Sequence, residues 1–185
     1  MDFKNANELL ALCEEKNLPV SEIMRIREIE LGETASEIVN KKMTRVLEIM
    51  KDAAFSPIRQ PIKSMGGLIG GEARKLSLHA QEKRGLCGEL LQKAVTYAMA
   101  TLETNASMGL IVASPTAGSA GIVPGLLLAM QEHYDFSDEE IIQVLFNASA
   151  IGYLAMRNAT VAGAVGGCQA EVGVASAMAA SAAVE

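Results

Sequence analysis

At 185 residues, half of them apolar, the chain is long enough to bury a sizeable core, and its length favours one domain or at most two. With 4% aromatic residues, no Trp and ten Met, that core must be packed from aliphatic side chains, which suits helices better than a β-sandwich. A net charge of −6 without a long run of Lys or Arg argues against a nucleic-acid partner, and three cysteines with no C-x-x-C pair argue against a disulfide framework or a zinc site.

The N-terminus Met1-Asp2-Phe3-Lys4 is polar and has no signal-peptide core, so the chain is placed in the cytoplasm. Asn5 or Asn7 is a candidate cap for a first helix to Lys16, with Leu9, Leu10, Leu12 and Cys13 on one side. Pro19 breaks the chain, and Ser21 then caps a helix that Gly32 ends. Thr34 and Glu37 read as a capping box ahead of Ile38, Met43, Val46, Leu47 and Met50. Their spacing predicts an amphipathic helix to about Phe55, stopped by Ser56-Pro57 and Pro61. A charged helix carries His79, and further helices fit Glu89 to Thr104 and Pro124 to Tyr134. Ser137 with Glu140 opens another through Ile141, Ile142, Leu145 and Phe146, and a last one runs from Gln169. No period-two run of β-branched residues stands out, so the expected fold class is all-α, a single helical domain over residues 1–185. Because no Gly, Asn or Pro stops the last helix, further sequence is expected beyond it.

The chain has two textures. Fifteen of the sixteen Lys and Arg residues precede residue 95, whereas fifteen of the sixteen glycines fall at or after Gly66. The longest uncharged stretch, Thr104 to Gln131, contains no Lys, Arg, Asp or Glu, yet Pro115, Pro124 and four glycines make it unsuited to crossing a membrane.

Three glycine-rich segments precede helices: Ser64 to Gly71, Pro115 to Gly121, and Gly163 to Glu171. Converging backbone N–H groups and a helix N-terminus let such loops hold a carboxylate or phosphate, although tight turns and close helix contacts explain them equally well. None continues as a nucleotide-binding loop. Cys13 lies on an apolar stripe, and Cys87 has only the basic pair Lys83-Arg84 beside it. Cys168 follows two glycines at the start of a helix, where the dipole favours the thiolate that metal binding requires. No Ser-His-Asp or paired-carboxylate arrangement follows from spacing, and His79 and His133 read as solvated.

Four strings taken together carry more. They are Thr104-Asn105-Ala106-Ser107-Met108-Gly109, Ala113-Ser114-Pro115-Thr116-Ala117-Gly118-Ser119-Ala120-Gly121-Ile122-Val123-Pro124-Gly125, Arg157-Asn158-Ala159-Thr160, and Gly166-Gly167-Cys168-Gln169-Ala170-Glu171-Val172-Gly173. In order and wording they resemble the α chain of the two-chain bacterial iron–sulfur L-serine dehydratases, strongly from Ser64 onward. The resemblance implies an all-helical domain that eliminates water from L-serine to give pyruvate and ammonia, with no pyridoxal phosphate. It also implies a four-iron four-sulfur cluster whose open iron acts as a Lewis acid.

By this resemblance Cys168 is one of three cluster cysteines. Ser64, Gly66, Gly67, Thr116, Gly118, Ser119 and Gly121 hold the substrate carboxylate and amine, and Asn105 and Asn158 line the site. The catalytic base is not assigned. The family's other two cluster cysteines lie in a downstream segment that these residues do not include, so this stretch alone is expected to carry no cluster and no activity. A separate β chain is the implied partner, and self-association is expected from exposed apolar surface. The alternatives are a non-catalytic helical module binding a small anion or a partner chain, and related iron–sulfur elimination on L-threonine or another 2-hydroxy or 2-amino acid.

Overall fold

The computed structural model describes residues 1–82 and 85–185; the Lys83-Arg84 pair lies outside the described residues. Among these the structure is helical, without strands: α1 (Ala6–Lys16), α2 (Val20–Leu31), α3 (Ser36–Arg59), α4 (Glu72–Glu82), α5 (Glu89–Ala106), α6 (Ile122–Tyr134), α7 (Asp138–Asn158), α8 (Gly163–Gly166) and α9 (Cys168–Val184). The all-α expectation holds. No helix among the described residues is long and apolar enough to cross a membrane. The chain groups into two compact units, Met1–Leu47 with Asp138–Glu185, and Glu48–Ser137.

The first unit is built from α1, α2, the first half of α3, and α7 to α9. Asn5 caps α1 as expected, its side chain accepting the Glu8 N–H at 3.0 Å. Phe3, Leu9, Ile23, Met24, Val39, Phe146 and Ala150 form the core. Arg27, 9% exposed, lies over the Tyr153 ring at 4.0 Å and pairs with Asp2 at 2.8 Å, so a buried cation is both stacked and neutralised.

Two helix starts differ from the sequence expectation. Helix α2 begins at Val20 with Pro19 at its N-cap, and the buried Ser21 offers its backbone N–H to the Glu185 carboxylate at 3.2 Å. Ahead of α3, the Thr34 hydroxyl bonds Gly32 O at 2.6 Å instead of capping the helix.

The second unit holds the rest of α3 with α4, α5 and α6. Helix α3 does not stop at Ser56-Pro57 but continues to Arg59 with Pro57 inside it. A proline lacks the N–H that would bond the carbonyl four residues back. Here that carbonyl, Ala53 O, accepts the Thr104 hydroxyl of α5 at 2.9 Å. Arg74 of α4 then closes the helix end, donating to Ile58 O at 2.9 Å and Arg59 O at 2.7 Å.

Helix α6 lies directly on α5. A Cβ at Gly121 would sit 2.5 Å from Ala98 O, and one at Gly125 would sit 2.8 Å from Ala94 O. Glycine is therefore what allows the two helices their close approach.

Candidate functional site

The last turn of α5 organises the second unit. Glu103 is 2% exposed, and its two oxygens accept the N–H groups of Gly71 at 3.1 Å and Ala73 at 2.8 Å. Glu72 accepts the Gly70 N–H at 2.6 Å, and this bond holds the Glu72 carboxyl below the usual carboxylate range. Three N–H groups at the mouth of α4 are thus already bound by carboxylates of the chain itself.

The preceding loop folds back on Ser64. The Ser64 N–H donates to Ile69 O at 2.8 Å, the Gly67 N–H to Ser64 O at 2.9 Å, and the Ile69 N–H to the Ser64 hydroxyl at 3.2 Å. Gly70, at φ +141°, takes a conformation that L side chains rarely adopt. Met65 N–H reaches Ala106 O at 3.4 Å, joining the loop to the end of α5.

A second loop meets the same turn. The Asn105 side-chain amide donates to Ala117 O at 3.1 Å, after a cis Ser114–Pro115 bond. The Thr116 and Ser119 hydroxyls lie 3.2 Å apart, and Ser119 donates to Ser114 O at 3.4 Å. Helix α6 starts immediately after Gly121. The buried Ser114 hydroxyl has no hydrogen-bond partner among the described residues. An unpaired buried hydroxyl costs about 1–3 kcal/mol, so a polar group arriving here would recover that energy.

Eight of the ten residues singled out from sequence are therefore on one helical turn or in the loops anchored to it: Asn105 on the turn, and Ser64, Gly66, Gly67, Thr116, Gly118, Ser119 and Gly121 in the loops. Through Asn105 this turn joins the carbonyl-rich C-terminal end of α5 to the loop that leads into the N–H-rich start of α6. The family model for the serine dehydratase alpha chain matches residues 15–185.

This chain belongs to the serine dehydratase alpha chain family. Over 183 residues it is 44% identical to a protein named probable L-serine dehydratase, alpha chain, from Bacillus subtilis, covering 99% of this chain and 61% of that one. It is 39% identical over 183 residues to the L-serine dehydratase, alpha chain, of Peptoniphilus asaccharolyticus, at 99% and 63% coverage. To the L-serine dehydratase of Helicobacter pylori it is 37% identical over 185 residues, at 97% and 40% coverage. The chain thus spans under two thirds of the length of these relatives.

The other two singled-out residues of this family member lie in the first unit. Asn158 donates its amide to Lys4 O at 2.8 Å and Leu154 O at 3.0 Å, which ties the end of α7 to the N-terminal segment. Cys168 is exposed and opens α9 behind Gly167, whose φ is +77°. Cys13 is half-buried; burial pushes its thiol up, and the Glu185 charge adds to the effect. Cys87 is exposed and belongs to the second unit.

Among the described residues no three His, Cys, Asp or Glu side chains come together as a metal site. The donors present do not fit an iron–sulfur cluster held by this stretch alone, because a cubane needs three or four thiolates.

Two residues of the site were missed from sequence. Glu103 was not singled out, yet it follows the inward positions Thr96, Tyr97, Ala100 and Thr101, so a carboxylate on the apolar stripe was the available signal. Ser114 has no such signal, since its burial depends on the fold. A cavity of about 390 Å³ lies beside the site, lined by Leu68, Ile69, Glu72, Met99, Leu102 and Glu103. A larger one of about 670 Å³ lies at the other end of α5, among Ser77, Gln81, Gln92, Lys93 and Tyr97. None of the singled-out residues lines it.

Proposed function

We propose that this chain is part of the α chain of a bacterial iron–sulfur L-serine dehydratase and that the loops around the last turn of α5 receive L-serine. The convergence of Ser64–Gly67, Asn105 and Thr116–Gly121 on that turn carries the reading. A serine zwitterion fits two helix ends of opposite polarity: its carboxylate toward the Ser114, Thr116 and Ser119 hydroxyls and the start of α6, its ammonium toward the α5 carbonyls. Held so, the substrate loses its α-proton and β-hydroxyl as water. The aminoacrylate formed then hydrolyses to pyruvate and ammonia. The reaction belongs to amino-acid degradation in the cytoplasm, and pyruvate is a precursor for gluconeogenesis.

In this reading Cys168 is one corner ligand of the cluster, and the other thiolates come from beyond residues 1–185. A separate β chain completes the enzyme. The exposed apolar side chains Met65, Leu68, Met108 and Leu110 support self-association or burial by a further segment.

The test is to reconstitute the complete protein with iron and sulfide in the absence of oxygen and to assay pyruvate from L-serine, with L-threonine as competitor. Serine turnover is expected, and Cys168→Ser should lower iron content and turnover together, by at least about 10-fold. Residues 1–185 alone should hold no cluster. Wild-type protein that shows neither a brown chromophore nor pyruvate formation would leave the helical module binding a small anion or a partner chain as the reading.

A further inference from the structure

We propose that Glu103 is a positioning residue whose buried carboxylate fixes the Ser64–Gly71 loop in its substrate-binding form. The substrate half of this statement rests on the function proposed above; the anchoring half stands on geometry alone.

A carboxylate that is 2% exposed must be compensated, since burying an unpaired charge is very costly. The compensation here comes from the start of α4. Each oxygen takes a separate backbone donor, Oε2 from Gly71 and Oε1 from Ala73, where the helix dipole also favours negative charge. With both oxygens engaged by backbone N–H groups, Glu103 is poorly placed to take a proton from substrate. It is well placed to hold a loop.

The hold is transmitted in short steps. Gly70 precedes the anchored Gly71 and is pinned by its own geometry: at φ +141°, any Cβ there would collide with Ile62 O. Ile69, next in line, makes the paired bonds to Ser64. Glu103 also stands immediately before Thr104 and Asn105, which hold Ala53 O and Ala117 O. One turn of α5 therefore sets the register of α3, of the Ser64 loop and of the Thr116 loop.

The arrangement requires a carboxylate rather than an amide. Glutamine offers one acceptor oxygen and would turn its NH₂ toward the second N–H donor. In the complete enzyme Glu103→Gln should therefore speed amide hydrogen exchange at Gly71, Ala73 and residues 64–70 by at least about tenfold, with α6 unchanged. It should also raise KM for L-serine about tenfold, by more than any fall in kcat, because a loosened loop loses binding that ground state and transition state share.

Exchange that matches wild type would overturn the anchor. Acceleration spread equally over α6 would reduce Glu103 to a general stability residue, and a loosened loop with KM unchanged would remove its role toward substrate. If wild-type enzyme turns over no serine, the functional reading fails, and the exchange measurement still decides the anchor.

Discussion

Adding one methyl group at Gly121 tests whether the contact of α5 with α6 builds the site. The new Cβ would lie 2.5 Å from Ala98 O and 3.1 Å from both Ala98 C and Cα. The obstructing atoms are backbone in the middle of α5, so no rotamer change relieves them and α6 must back away by several tenths of an ångström. Overpacking of this kind costs about 1–3 kcal/mol, and rigid neighbours put Gly121→Ala near the upper end. For a chain of this size that lowers Tm by roughly 4–12 °C. Gly173→Ala is the matched control: it lies in α9 with nothing within 4 Å of a built Cβ, and alanine there should gain about 0.5–1 kcal/mol through helix propensity. Urea unfolding followed by circular dichroism separates the two substitutions. Gly121→Ala within about 0.5 kcal/mol of wild type, or a shift in the same direction as Gly173→Ala, would refute the close-approach argument.

Two further outcomes follow from named contacts. Burial, with the Glu132 carboxylate beside it at 2.6 Å, pushes the Tyr97 phenol above its ordinary range. The phenol's raised folded pKa gives stability that is complete below the unfolded value of about 10 and is lost as pH rises toward the folded one. Tyr97→Phe should therefore cost about 1–1.5 kcal/mol near neutral pH, and its unfolding curve should converge on wild type in alkali; a constant gap would show that Tyr97 does not titrate late. Ser114→Ala removes an unpaired buried hydroxyl, so Tm should hold or rise while KM for L-serine increases several-fold. A drop in both Tm and affinity would mean that the hydroxyl is structurally bonded. The Cys168→Ser and Glu103→Gln outcomes stated above complete the set, read by iron content and by amide exchange respectively.

What the sequence revealed depended on the range of the interaction. Asn5 and the apolar stripes of α1, α3 and α7 act within a turn or two, and periodicity reads such local bonds. Pro57 was read as a stop because its effect on its own helix is local, but Thr104, 47 positions later, supplies the missing donor to Ala53 O. Ser21 failed as a cap for a similar reason: its backbone is bonded by Glu185, 164 residues away. The site divided along the same line. Its glycines and hydroxyls were visible as strings, whereas their attachment to one turn of α5 by Glu103, Asn105 and Ala106 required the tertiary structure.

On the proposed function, that attachment explains how a loop region without Lys or Arg would recognise a charged amino acid. From residue 94 to residue 156 there is no Lys or Arg, so a carboxylate bound at Thr116–Gly121 would rely on hydroxyls and helix N–H groups. Such donors carry partial charges, but they are fixed by backbone geometry and need no reorganisation when the ligand arrives. Their usefulness then depends on rigidity, because a dipole displaced by an ångström loses most of its advantage over water. Gly121 and Gly125 hold α6 against α5, Asn105 ties the loop between them, and Glu103 ties the opposite loop to the same turn. In the proposed function, the close helix contact and the buried carboxylate thus serve one end, which is to keep weak, neutral donors in place well enough to act where a lysine or arginine would otherwise be needed.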